Sequence, residues 1–358
     1  MPTAPRPASS GPTASCPLTL SADAFAAMLN LELADHPVYD GLELQWFDDP
    51  DHGTGMLAFL SRRGDGVVDY YVDPALRLDR AGYHIGGGTG AWTKTTFEVA
   101  RLRVVPDGVD AEVRFTDVDG RRVHVRVDDR DGEPRRRGAL LAPVSSAIEE
   151  PTSLMVVWMP SFDLVRATRR PPLVRIDGED AATGRLPGQR LHRRHLVKYA
   201  APVVSVLVGR DADVGVGPAG VAPGPDGVAV VEAGGCVARV ELTPPWPDVV
   251  ALAPGDAREG AWRLLVDDGV VTGGRWFVRR ADGRAELGVD VTERWRPRGL
   301  TGLTRLVTTI LPVFRTWPTT YRWRGEAVLD GAPRVEGRWE RLASRGGEVY
   351  RRMTRSRA

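Results

Sequence analysis

The sequence predicts an all-β fold, and three observations carry that prediction. Apolar and polar residues alternate in short runs, the period of half-buried strands. Asp-Gly and Gly-Gly dipeptides separate those runs, and such dipeptides suit hairpin turns because both tolerate positive φ. Helical periodicity is confined to two short segments.

Residues 1 to 17 are rich in Pro, Ser, Ala and Thr, and are expected to be a disordered tail. Ser21 is placed as an N-cap, so Ala22 to Leu31 is expected to be a short helix with Phe25, Met28 and Leu29 on one face. The pattern then becomes β. Leu42, Leu44 and Trp46 alternate with Glu43 and Gln45. Met56 to Leu60 and Val67 to Val72 flank the turn Arg63-Gly64-Asp65-Gly66. Phe97 to Val105, Val109 to Phe115 and Val123 to Val127 follow, joined at Asp107-Gly108 and Asp119-Gly120.

Leu154 to Met159 and Leu196 to Val208 are apolar runs expected as buried strands, the second interrupted by Pro202. Val228 to Val231 pairs with Val237 to Leu242 around Gly234-Gly235, and Trp262 to Val266 with Val270 to Thr272 around Asp267-Asp268-Gly269. Trp276 to Arg280 and Ala285 to Val291 flank Asp282-Gly283. A helix is expected around residue 305, capped by Thr301 and ended or kinked at Pro312. Tyr321 to Val328 and Val335 to Arg341 form a last hairpin around Asp330-Gly331. The architecture expected is two barrel or sandwich halves, with a short N-terminal helix and one helix near the C-terminus. Their boundaries are an N-terminal β domain over 18–208, a linker or long loop over 209–227, a C-terminal β domain over 228–345 and a basic tail over 346–358.

The chain has 358 residues and 48 basic side chains, of which only Lys94 and Lys198 are lysines, leaving 46 arginines. Asn30 is its only asparagine. This usage is expected of a GC-rich bacterial source. A net charge of +1 opposes generic nucleic-acid binding, which needs a cationic surface. The charge is uneven: residues 20–119 carry 8 basic and 18 acidic groups, a net of −10. Two cysteines, Cys16 and Cys236, make no disulfide framework. The N-terminus lacks the apolar region of a signal peptide, and the longest apolar helical stretch, Leu300 to Trp317, is too short and charged to span a bilayer. A cytoplasmic protein with no membrane span is expected.

Few motifs indicate chemistry. Gly86-Gly87-Gly88-Thr89-Gly90-Ala91-Trp92-Thr93-Lys94 lacks the Gly-Lys pair and the strand–loop–helix context of a phosphate loop, so it is expected to be a glycine-rich bend, with no cofactor. His192 and His195 form an H-x-x-H pair beside two arginines, short of the three or four ligands zinc needs, so no metal is expected. His84, flanked by Tyr83 and Ile85, and Lys94 are candidate acid–base groups near that bend. Asp163, in an apolar run, and Tyr199 complete the candidate catalytic set. Glu149 and Glu150 are a paired-carboxylate candidate weighed against a solvated loop. Trp92, Trp158, Tyr321 and Trp323 are the candidate ligand-binding aromatics among ten tryptophans.

Gly-x-Trp recurs at Gly90/Trp92, Gly260/Trp262, Gly274/Trp276 and Gly337/Trp339, where composition alone gives roughly one case. The motif resembles the Gly-x-Trp element of lipocalin-like barrels, and equally fits indoles covering strand glycines. At the level of architecture the chain resembles the two-domain lipocalin-like family that includes carotenoid hydratases and pericyclases. The family's catalytic motifs are not matched, so no residue roles are carried over. The resemblance implies two lipocalin-like halves. Two packed β units commonly leave an apolar cavity that ten tryptophans can line, so binding of a small hydrophobic molecule in a β-barrel or inter-domain cavity is expected. The alternatives are a cofactor-independent isomerase, cyclase or hydratase acting on an apolar metabolite, and a structural or protein-interaction module.

Overall fold

The alternating segments pair into three sheets. The computed structural model describes residues 16–83, 87–143, 151–167, 170–186, 192–209, 220–296, 300, 302–310, 314, 317–319, 321–330 and 334–342. The chain begins with β1 (Leu20–Phe25), β2 (Ala27–Glu32), β3 (Tyr39–Asp49), β4 (Gly53–Arg62), β5 (Val68–Val72) and β6 (Thr89–Lys94). It continues with β7 (Val99–Val105), β8 (Gly108–Thr116), β9 (Arg122–Asp128), β10 (Gly138–Ala142) and the long β11 (Leu154–Arg166). β12 (Leu173–Ile176), β13 (Glu179–Asp180), β14 (Arg194–Ala200) and β15 (Val203–Val208) follow.

Ten of these strands form the first sheet, in the order β1-β15-β11-β14-β2-β3-β4-β5-β6, with β10 beside β11. The second sheet has five strands, β13-β12-β9-β8-β7. A seven-stranded meander makes the third: β16 (Val228–Ala233), β17 (Cys236–Thr243), β18 (Ala257–Val266), β19 (Gly269–Ala281), β20 (Arg284–Glu293), β21 (Tyr321–Val328) and β22 (Arg334–Arg341). Two of the sheets curl as half-barrels. The expected C-terminal helix is present as α1 (Gly302–Ile310). No helix among the described residues is long and apolar enough to cross a membrane.

The expected N-terminal helix is not formed. Ala22 to Leu31 instead supplies most of β1 and β2, with Ala26 at the bend between them. β1 pairs with β15, and β2 is sandwiched between β14 and β3. Leu29, Leu31 and Leu33 alternate with Asn30 and Glu32, so period two prevails over the helical spacing once two neighbouring strands offer ladder partners. Cys16, expected in the tail, is buried beside Leu18 in the core. Gly234-Gly235 has positive φ at both positions, whereas Asp119-Gly120 and Asp282-Gly283 have it at the Gly alone. Asp267 and Asp268 also have positive φ, and Gly331 lies outside the described residues.

The first sheet buries both faces. On one face, Leu29, Leu44 and Met56 pack against Val113, Val125 and Ile176 of the second sheet. On the other, Leu20, Val156 and Val206 join Trp262, Trp276 and Tyr321 of the third sheet in one continuous core. Farther along that face, Phe47, Leu57, Phe59, Val68 and Tyr70 pack under Leu76. Leu76 lies in the connection from β5 to β6. These strands are parallel, so the connection must cross over the sheet rather than turn back.

Tryptophans anchor the third sheet. Gly260 faces Trp276 and Gly274 faces Trp262 across β18 and β19, so two of the Gly-x-Trp units are reciprocal partners. A Cβ on Gly337 would stand 2.2 Å from Cζ2 of Trp323, so the indole occupies the space a side chain would take. Trp339 Nε1 donates to the carbonyl of Gly209 at 2.7 Å and ties the last strand to the end of β15. Leu20 and Val221 exchange backbone hydrogen bonds, so the segment leading to the third sheet is also held against β1. Gly337→Val is expected to cost about 1–3 kcal/mol by overpacking against Trp323. The measurement is urea unfolding, with a lower midpoint and an unchanged slope.

Candidate functional site

Alternation along the strands sorts side chains to opposite faces, and neighbours opposite one another share a face. In register, Leu164, Lys198, Asn30, Glu43, Phe59, Tyr70 and Trp92 are successive partners from β11 through β14, β2, β3, β4 and β5 to β6. They form one row across seven strands. Its centre is polar and its far end is aromatic.

Glu43 lies at the junction and is 9% exposed. Asn30 Nδ2 donates to Glu43 Oε2 at 2.9 Å, and Gln45 Nε2 donates to Oε1 at 2.7 Å. Burial raises the Glu43 carboxyl above its ordinary value, while these two amides and the charge of Lys198 oppose the shift. Lys198 is half-buried, and its Nζ donates to Glu32 Oε1 at 3.1 Å.

The aromatic end is a triangle of rings. The Tyr70, Tyr83 and Trp92 centroids lie 5.3–5.5 Å apart, and Phe59 stands 5.3 Å from Tyr70. Tyr83 arrives from the crossover connection. Burial drives the Tyr70 and Tyr83 hydroxyls well above the ordinary tyrosine range, and the charge of Glu43 adds to both shifts. The Tyr70 hydroxyl and Gln45 Oε1 are buried with no hydrogen-bond partner among the described residues. They are two of ten such side-chain atoms among the described residues, and they share the face of Glu43.

A second polar cluster borders the aromatic wall. His52 Nε2 lies 3.2 Å from Asp23 Oδ2, and its Nδ1 lies 3.1 Å from Asp49 Oδ1. The imidazole packs 5.2 Å from Phe47, which is 5.5 Å from Phe25. Desolvation raises the Asp23 carboxyl against the pull of His52, and the charge of Asp23 acts on the Tyr83 hydroxyl. For Asp49 the burial effect is upward, but hydrogen bonds from the His52 backbone and ring outweigh it and hold the carboxyl below its usual value. No group of three or more His, Cys, Asp or Glu side chains among the described residues is arranged to hold a metal ion.

The residues expected from the sequence fall in several places. His84, Glu149 and Glu150 lie outside the described residues. Trp92 belongs to the aromatic triangle. Lys94 is exposed at the end of β6, where Nζ donates to the Leu76 carbonyl at 2.7 Å and ties down the crossover connection. Asp163 and Tyr199 are cross-strand partners, with the Tyr199 hydroxyl donating to Asp163 Oδ2 at 3.5 Å. They occupy the face opposite the row, because each adjoins a row member, Leu164 or Lys198, along its strand. The expected catalytic set therefore does not converge among the described residues: Lys94 and the Asp163–Tyr199 pair sit on opposite faces. Trp158 is half-buried against the core shared with the third sheet, and its Nε1 lacks a partner. Tyr321 and Trp323 are buried members of that same core.

The glycine-rich segment enters β6 rather than a helix. A Cβ on Gly90 would stand 2.5 Å from Asp69 Oδ1, which accepts from the Ala91 N–H at 2.9 Å. Asp69 is fully buried and pairs with Arg62 at 2.6 Å. Gly90 thus makes room for a structural carboxylate. An open depression of about 430 Å³ on the third sheet lies among Arg279, Arg284, Glu286 and Glu326. Arg279 pairs there with Glu286 and Arg284 with Glu326. Arg280, also in the lining, donates to the backbone carbonyls of Ala281 and Arg284, and the depression lies on a different sheet from Glu43.

Sequence reasoning missed Glu43, Gln45, Phe59 and Tyr70. Glu43 and Gln45 read as the solvent side of an amphipathic strand, and only the crossover and the third sheet cover that side. One signal was present: the single asparagine of the chain stands directly opposite Glu43. No family model matches the chain, and no curated protein or solved structure is similar to it.

Glu43→Gln is expected to stabilise the fold at neutral pH. A carboxyl raised in the folded state opposes folding once pH exceeds its unfolded value, and it opposes folding fully above its folded value. Gln45 can turn its free Oε1 toward the new amide. The difference between variant and parent therefore opens as pH rises from about 4. Thermal melts from pH 4 to 8 check it; a constant difference at all pH values counts against ionisation of Glu43 as the cause.

Proposed function

We propose that the Glu43 face of the first sheet binds a small hydrophobic molecule. The observation carrying this reading is the pair of buried polar atoms without a partner among the described residues: Tyr70 Oη, in the row that ends in an aromatic wall, and Gln45 Oε1, two residues along the strand from Glu43 on the same face. Binding sites combine an apolar lining with a few convergent polar groups, and this row has that composition. The two orphan atoms gain partners when a ligand brings a polar group to them. The position also fits. The row runs between the core shared with the third sheet and the cluster under the crossover connection, and Phe25 packs against both.

A second reading, a cofactor-independent isomerase, cyclase or hydratase, has one specific observation in its favour. Glu43 is a carboxyl 9% exposed, held in place by the Asn30 and Gln45 amides on the face that carries the aromatic wall, and burial acts to raise its proton affinity, which suits general acid–base work. In that reading Glu43, not Asp163 or Lys94, is the acid–base group.

The test is a thermal-shift and tryptophan-fluorescence titration with aromatic and polyene compounds, both neutral and charged, using Trp92 as the local reporter. Saturable stabilisation is expected. Trp92→Leu should weaken it by about tenfold, the equivalent of losing about 1.4 kcal/mol of ring contact. Absence of both stabilisation and quenching across the panel refutes the binding reading.

A further inference from the structure

We infer that the molecule taken up by this face is an amine: an organic cation whose ammonium sits against Glu43 and whose apolar body lies along Tyr70, Tyr83 and Trp92. This inference rests on the reading of the face as a small-molecule site, and names the chemical class that the site selects.

The hydrogen-bonding inventory points to a donor. Both amide nitrogens beside Glu43 are engaged with its carboxylate: Asn30 Nδ2 with Oε2 and Gln45 Nε2 with Oε1. What is left over accepts. Gln45 Oε1 can only accept, and the Tyr70 hydroxyl can accept as well as donate. An ammonium has three donors and no acceptor, so it complements that set. A carboxylate ligand offers only acceptors and would meet Glu43 and Asp23 as like charges. A hydrocarbon leaves both orphan atoms buried and unpaired.

The electrostatics agree. Glu43 is buried, and no cation among the described residues forms an ion pair with it. Lys198 acts on it through its field, but its ammonium bonds to Glu32. A buried carboxylate is stabilised by a close, hydrogen-bonded counter-ion, and a ligand ammonium would be one. The faces of Tyr70, Tyr83 and Trp92 carry the negative side of the ring quadrupole, which draws cations. Asp23 at the border of the wall, beside His52, adds a second carboxylate whose charge reaches Tyr83. Residues 20–119, which supply every row member except Leu164 and Lys198, carry a net charge of −10, a field that favours approach of a cation.

Three probes of one shape separate the possibilities: 2-naphthylmethylamine, 2-naphthalenemethanol and 2-methylnaphthalene. Each is titrated into the full chain at pH 7.5 with tryptophan fluorescence as readout. The amine is expected to bind at least tenfold more tightly than the other two. Glu43→Gln should remove that preference, so that the amine loses at least tenfold relative to the hydrocarbon. Lys198→Met, at a half-buried site outside the aromatic wall, should strengthen the amine severalfold relative to the hydrocarbon. This second variant keeps the test decisive if Glu43→Gln does not fold. Equal or tighter binding of the alcohol overturns the amine inference and leaves the small-molecule reading standing. A preference that survives Glu43→Gln, or that ignores Lys198→Met, places the cation elsewhere and overturns the inference. If none of the three binds, the reading of the face itself fails, and the inference with it.

Discussion

The ten-stranded sheet has to bury both of its faces, and the rest of the structure follows from that constraint. A sheet with one wet face can be read from simple alternation. Here the second sheet covers one face, while the third sheet and the crossover connection divide the other between them. Residues that would be solvated on a half-exposed sheet are thereby drawn indoors. Glu43, Gln45 and Asn30 are those residues, and their mutual hydrogen bonds are what makes the burial tolerable.

The parallel step from β5 to β6 is the second element of this logic. In a sheet otherwise built of antiparallel neighbours, it forces a crossover connection. That connection delivers Leu76 and Tyr83 onto the sheet, where Tyr83 completes the ring triangle with Tyr70 and Trp92. Lys94 holds the connection in place through the Leu76 carbonyl. The rarity of lysine in this chain thus marks two positions with local work: Lys94 at the crossover and Lys198 beside Glu32 and Glu43. Neither touches the Asp163–Tyr199 pair as a chemical partner.

Much of the fold was legible because its signals are local. Asp-Gly and Gly-Gly turns demand positive φ, and the strands on either side of Asp119-Gly120, Gly234-Gly235 and Asp282-Gly283 pair as hairpins. The helix at Gly302–Ile310 was legible from its apolar stripe. The N-terminal segment was misread because Phe25, Met28 and Leu29 fit a helical face in isolation. The same residues also fit two strands, and β15, β14 and β3 offered ladder partners that no local rule can see. The Gly-x-Trp recurrence was visible, but its causes differ from site to site and required the tertiary structure: an indole lies over Gly260 and over Gly337, whereas Gly274 is crowded by the Asp290 backbone and Gly90 by the Asp69 carboxylate.

The candidate site shows the same division more sharply. By itself the sequence determined that β3 alternates, that Asn30 is unique and that Trp92 and Lys94 follow a glycine-rich bend, since each depends on residues near in the chain. Only the tertiary structure decided that Lys198, Asn30, Glu43, Phe59, Tyr70 and Trp92 stand in one row, and that Lys94 and Asp163 face opposite ways. Cross-strand neighbours are set by hydrogen-bond register between segments up to 168 positions apart, as between Lys198 and Asn30. A one-residue slip in any strand would turn its members of the row to the other face. Which carboxylate is buried, and which aromatic rings surround it, is therefore a property of pairing and of what covers the sheet, and neither is written in any single stretch of the chain.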